Sequence, residues 1–147
     1  MLKGIPACID SNLLKALYDM GHGDRLVIAD HYYPAFSKGT HGTVIQAKGC
    51  SVPELLEAIL VLFPLDNDYC KSPVKIMKPD SEFSELCKEP FPIWSKIESV
   101  VHMTNPSASV EYIDRSSFYL LAETAYLTIS TSEQSTYSCI ILQKGVK

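Results

Sequence analysis

Residues 10–30 read DSNLLKALYDMGHGDRLVIAD. In the first half Leu13, Leu14, Leu17 and Met20 fall on one face of a helix. Asp10 or Ser11 can cap that helix, and Gly21 can end it in a left-handed turn. Leu26-Val27-Ile28-Ala29 then forms an uninterrupted apolar run, as expected of a strand covered on both faces. A helix passing through a short loop into a doubly buried strand is the repeating unit of α/β proteins.

The rest of the chain repeats the alternation. Thr43–Ile45 reads as a strand. Ser51-Val52-Pro53-Glu54 has the form of a capping box, with proline in the first turn, and predicts a helix to about Leu62 that Pro64 ends. Val74–Met77 is a third strand, Lys78–Pro92 a proline-punctuated surface loop with room for a turn of helix, and Trp94–Val101 a helix. Val110–Ile113, Tyr126–Ser130 and Ser138–Leu142 complete the strands, with a helix at Arg115–Thr124 between the first two. The expectation is a single α/β domain over residues 1–147, with a mostly parallel sheet and helices on both faces.

Composition narrows the function. Of 147 residues, 46% are hydrophobic and 20% charged, an ordinary globular balance. The net charge is −4, and Arg25 and Arg115 are the two arginines among thirteen basic residues. No basic patch is present for nucleic acid or an anionic membrane. Cys8, Cys50, Cys70, Cys87 and Cys139 are odd in number and form no C-x-x-C pair, which argues against a zinc ribbon or a redox motif. The opening MLKGIPACIDS has no signal-like apolar stretch, and the longest apolar run, Ala58–Pro64, is too short to span a bilayer. The expected setting is cytoplasmic and reducing.

Chemistry concentrates near the first strand. His22 stands between two glycines, which permit unusual backbone angles and close approach of a ligand. It reads either as a cation at a helix C-terminus or as an acid–base group. Asp30, at the carboxyl end of the strand where α/β sheets bind ligands, reads either as an acceptor of loop N–H groups or as a binding residue. One strand separates the two, so a site using both needs a folded-back loop or a neighbouring subunit. His22, Asp24, Asp30 and His31 are metal-capable but lack ligand spacing. No nucleophile elbow or phosphate loop occurs. Arg115 opens a helix, where the dipole disfavours a cation, so a positional role is open to it. Tyr137 reads either as an amphipathic strand residue or as a phenol facing a cleft. Tyr32, Tyr33 and Phe36 crowd one loop and are candidates for a subunit contact.

The run LLKALYDMGHGDRLVIAD followed by YPAFS resembles the opening of the L-fucose mutarotases, which share one family with the ribose pyranases. The likeness continues through VPELLEAILVLFPLD, FPIW, IDRSSFY and KGV, and so covers essentially the whole chain. The FPIW segment and the mid-chain loop length are closer to the fucose branch.

This resemblance implies a ribose pyranase-like fold and an isomerase that exchanges the α and β anomers of L-fucose. His22 matches the family's proton donor, Asp30 a sugar-binding aspartate, and Arg115 a binding position. Tyr137, Ser138 and Cys139 stand where the family reads Tyr-Gly-Asn. Only the tyrosine is kept, and a thiol is a poor substitute for an amide. Gln46-Ala47-Lys48-Gly49 likewise departs from R-A-D-G. The family also implies a ring-shaped homo-oligomer, a decamer among the forms expected, with sites shared between subunits. Anomer exchange needs no cofactor and no metal. One group protonates the ring oxygen while another takes the anomeric proton, which suits His22 with Tyr137 as partner. The alternatives are D-ribose pyranase activity and a sugar-binding protein without catalysis.

Overall fold

The computed structural model describes residues 2–147. Helix α1 (Ser11–Asp19) leads into β1 (Arg25–Ala29). A one-turn helix α2 (Ala35–Lys38) and β2 (Thr43–Ala47) precede α3 (Val52–Leu60) and β3 (Val74–Lys78). A 3₁₀ segment at Ser81–Cys87 is followed by α4 (Pro92–Thr104), β4 (Val110–Asp114) and α5 (Arg115–Ala122). Strands β5 (Leu127–Thr131) and β6 (Ile140–Gln143) complete the sheet.

The six strands lie in the order β2-β5-β1-β6-β3-β4. Pairs β2–β5, β1–β5 and β3–β4 are parallel, whereas β6 runs antiparallel between β1 and β3. The sheet is therefore mostly parallel, as its alternation with helices predicts, around one central reversed strand.

Burial of β1 explains its apolar run. Leu26, Val27, Ile28 and Ala29 are all fully buried. Leu26 and Ile28 face a core built with Leu13 and Leu17 of α1, Leu55 and Ile59 of α3, and Ile97 of α4. Val27 and Ala29 face a second core with Tyr33, Ala35, Phe118 and Ala122. The two-residue period of a strand thus feeds two helical layers.

Local signals set the helix starts. Asp10 accepts the Leu13 amide at 2.8 Å, and Ser51 and Glu54 form the complete reciprocal box on α3. The end of α1 differs from expectation. Gly21 is not left-handed; Met20 turns the chain into an extended conformation (ψ 136°) and Gly23 takes the positive φ of 83°. The reason is distant: Lys144 Nζ donates to the Leu17 and Met20 carbonyls at 2.9 and 2.5 Å. A cation there satisfies open carbonyls and complements the helix dipole, so no glycine cap is required.

The aromatic loop also differs in part. Tyr32 and Phe36 are exposed, but Tyr33 is buried, stacked on Tyr119 with centroids 5.4 Å apart. Helix α2, one turn long, is too short to register as a period. Strand β6 begins at Ile140 rather than Ser138, because Ser138 Oγ donates to Ser135 O at 2.8 Å and keeps that segment in a turn.

Phe118 is fully buried at the centre of the second core. Phe118→Ala should cost about 3–5 kcal/mol, seen as a Tm lower by roughly 10 °C. A loss below about 1 kcal/mol in denaturant titration would contradict this packing.

Candidate active site

Asp30 lies one residue beyond β1 and is 5% exposed. Its Oδ1 accepts the Tyr32 and Tyr33 amides at 3.1 and 3.0 Å, and its own amide donates to Cys139 Sγ at 3.4 Å. The loop-acceptor reading of Asp30 is therefore met. Burial pushes its carboxyl above the usual carboxylate range, against the opposing pull of the Cys139 thiol and the loop amides. Burial and then the Asp30 charge push the Cys139 thiol well up, so it stands beside the carboxylate as a neutral thiol.

Asp30 opens on a cavity of about 210 Å³ that Tyr33, Met77, Arg115, Tyr137 and Cys139 also line. Larger hollows exist, one of about 510 Å³ beside Lys15 and Thr43. Of these two the smaller gathers a buried carboxylate, a guanidinium and several phenols, the pattern of a polar-ligand pocket. Arg115 lies with its guanidinium carbon 4.8 Å from the centre of the Tyr119 ring, also part of the lining. The cation–π contact orients a residue that the helix dipole disfavours. Ser138 is buried, with its hydroxyl on the Ser135 carbonyl. The structure thus brings together Asp30, Arg115, Tyr137 and Cys139; Ser138 supports the turn behind them.

His22 belongs to a second constellation at the other end of β1. Its Nε2 lies 3.2 Å from Asp66 Oδ2, and its ring packs 5.1 Å from that of Tyr69. Asp66 is 2% exposed. Its Oδ2 also accepts Gln143 Nε2 at 3.0 Å, and its Oδ1 the Tyr69 amide at 3.1 Å. Arg25 Nε donates to Gln143 Oε1 at 3.1 Å, which fixes the amide so that its NH₂ faces Asp66. Burial pushes Asp66 up, but the bonds from Gln143, the Tyr69 amide and His22 outweigh it and hold the carboxyl below its usual range. An ionised acceptor on Nε2 selects the tautomer with hydrogen there and leaves Nδ1 as the basic nitrogen. His22 is therefore a carboxylate-oriented imidazole, not a helix cap, since Lys144 serves α1.

Sequence reasoning missed Asp66, Gln143 and Tyr69. Asp66 closes the VPELLEAILVLFPLD stretch, and its place at the end of a matched run was the available clue. Gly23 N donates to Lys144 O at 2.8 Å, which seats the His22 loop. A Cβ on Gly145 would stand 2.6 Å from Leu65 O and 2.9 Å from Asp66 Cα, so the KGV glycine lets the chain pass directly behind Asp66. Among the described residues no three of His, Cys, Asp or Glu form a group that could hold a metal ion, and no helix is long and apolar enough to cross a membrane.

Residues 3–147 match the RbsD / FucU transport protein family. The fucose mutarotase of Homo sapiens is 39% identical over 99% of this chain and 94% of its own length. A fucose mutarotase from Streptococcus pneumoniae, solved in complex with L-fucose, superposes with a TM-score of 0.87 at 36% identity, covering 99% of both chains. RbsD of Bacillus subtilis, solved with D-ribose, shares the fold at a TM-score of 0.74 and 22% identity, over 100% of this chain and 99% of that one.

Two outcomes are expected at the Asp66 end. A carboxyl held low binds protons more weakly folded than unfolded, so its contribution is full above the ordinary carboxylate range and is lost as pH falls through the lowered value. The Tm difference between wild type and Asp66→Asn should accordingly shrink below about pH 4. A difference unchanged down to about pH 2 would contradict the assignment. Gly145→Ala should displace Leu65–Asp66 and broaden or shift the His22 ring resonances in NMR spectra. Unchanged resonances would show that the backbone yields elsewhere.

Proposed function

The chain belongs to the RbsD / FucU transport protein family, and we propose that it is an isomerase exchanging the α and β anomers of L-fucose. The observation that carries this reading is the Asp30 cavity: a buried carboxylate, an arginine and several tyrosines lining one small hollow, in a chain alike over its whole length to fucose mutarotases. Hydroxyls on a sugar ring need such acceptors and donors, and the apolar lining from Met77 and the aromatic rings suits its C–H faces. The likeness to RbsD at 22% identity carries the fold alone, so ribose is the weaker choice of substrate.

The chemistry follows from the two ends of β1. His22, oriented by Asp66, gives a proton to the ring oxygen as the ring opens. Tyr137 handles the anomeric hydroxyl. Asp30, Arg115 and the groups around Ser138 and Cys139 hold the sugar. The open-chain aldehyde turns, and the same groups close the ring by the reverse transfers.

The five residues of β1 advance about 3.3 Å each, which parts His22 from Asp30 by roughly 16 Å. A monosaccharide cannot bridge that span, so His22 of one subunit completes the Asp30 cavity of a neighbour in a ring-shaped homo-oligomer, with a decamer as the proposed form. Each subunit is a single domain, and the proposed compartment is the cytoplasm.

A second reading rests on Cys139. Its thiol sits where the family places an asparagine and is engaged with Asp30, an arrangement a sugar-binding protein without catalysis would tolerate.

Saturation-transfer NMR of the anomeric protons of L-fucose separates these readings. Wild type should speed exchange, and His22→Ala should remove about 10²-fold or more of it while the fold is kept. Exchange no faster than in buffer, with the sugar bound, would favour the binding protein. Activity should survive chelation by EDTA. In a mixing experiment, inactive His22→Ala and Tyr137→Phe are co-refolded in equal amounts. About a quarter of shared sites should then recover both groups. No recovery would place both residues of a site in one subunit.

A further inference from the structure

The FPIW segment, Phe91–Trp94, takes no part in the chemistry above although it opens α4. Trp94 is 8% exposed, in the first turn of that helix. Its indole Nε1 donates to the Tyr137 carbonyl at 2.8 Å, across 43 residues of chain. The Phe91 ring lies 5.0 Å from the Trp94 ring and 5.1 Å from the Tyr137 ring, and Tyr112 packs on Trp94 at 4.7 Å. Tyr112 is itself anchored by its hydroxyl on Glu98, so the cluster is fixed on both α4 and β4.

Tyr137 has φ 56°, and among the described residues it alone has a positive φ without being glycine. Side chains disfavour that left-handed conformation, because Cβ crowds the backbone. Such a residue persists only where its surroundings hold it, and such residues cluster at functional sites. Here the conformation matters twice. It puts the carbonyl toward α4, where the indole takes it, and it carries the side chain to the wall of the Asp30 cavity. Whatever fixes the backbone of Tyr137 therefore aims its phenol.

We propose that Trp94 is a positioning residue for Tyr137: its indole N–H holds the left-handed backbone that directs the phenol into the Asp30 cavity, with Phe91 buttressing the ring. This rests on the reading of Tyr137 as the second proton-handling group. Trp94 does not line the Asp30 cavity and acts only through Tyr137. The role explains why an aromatic segment outside the cavity accompanies the site.

The test compares wild type, Trp94→Phe and Tyr137→Phe. Trp94→Phe keeps a ring and removes the donor. With one such bond lost, kcat for L-fucose anomer exchange should fall about fivefold per folded molecule, with KM changed far less. A merely structural bond would lower Tm and leave kcat alone. If Tyr137→Phe is slow and Trp94→Phe is not, the proposal is overturned and the reading of Tyr137 stands. If Tyr137→Phe exchanges at the wild-type rate, that reading fails and takes the proposal with it. A second measurement covers the case in which Trp94→Phe does not fold. Trp94 is the single tryptophan, so the wild-type protein gives one indole ¹H–¹⁵N resonance. L-fucose at saturation should shift it; an unmoved resonance overturns the proposal.

Discussion

Complete burial of β1 on both faces is the constraint on which the rest depends. A strand so covered cannot bend or slide without disturbing two packed layers, and so the distance between its ends is fixed. At one end stand the loop of His22 and the Asp66 network, at the other the Asp30 cavity. The core therefore does more than stabilise: it holds the His22 imidazole and the Asp30 cavity apart at opposite ends of one strand.

The two buried aspartates show how little residue type alone decides. Asp30 and Asp66 are hidden from solvent to a similar degree, yet their carboxyls are displaced in opposite directions. For Asp30 burial dominates, because its helpers are loop amides converging on one oxygen and a weakly donating thiol. For Asp66 burial is again the largest influence, but donors reach both oxygens and one of them is an imidazole that can carry charge. One carboxyl thus shares its place with a thiol and a cavity, and the other is an acceptor on which donors converge from Gln143, the Tyr69 amide and His22.

Legibility in the sequence followed range. The run Leu26–Ala29, the Ser51–Glu54 box and the loop-acceptor role of Asp30 depend on neighbours within four residues, and each could be read directly. The family likeness placed His22, Asp30, Arg115 and Tyr137 as candidates. What escaped notice was made by partners far along the chain. Lys144 ends α1 in place of Gly21, Asp66 meets His22 across 44 residues, and Trp94 meets Tyr137 across 43. None of these leaves a period in the sequence. The direction of β6 was equally silent, since an apolar strand reads the same whichever way it runs, and Tyr33 turned inward where the crowding of Tyr32, Tyr33 and Phe36 in one loop suggested a subunit contact.

The reversed strand has a further bearing on how the molecule comes into being. Strand β6 is the last of the six in chain order and lies between β1 and β3. During synthesis the β2-β5-β1 group and the β3-β4 pair emerge before the piece that joins them. Until then each keeps an open inner edge, with unpaired amides and carbonyls flanked by apolar side chains. The seam closes only when residues 140–143 leave the ribosome, through contacts that span more than 100 positions back to β1. Pairing of such long range is slow to form and leaves nascent chains open to mispairing with one another. Closure of the sheet and completion of the Asp66 network then coincide, because Gln143 belongs to both.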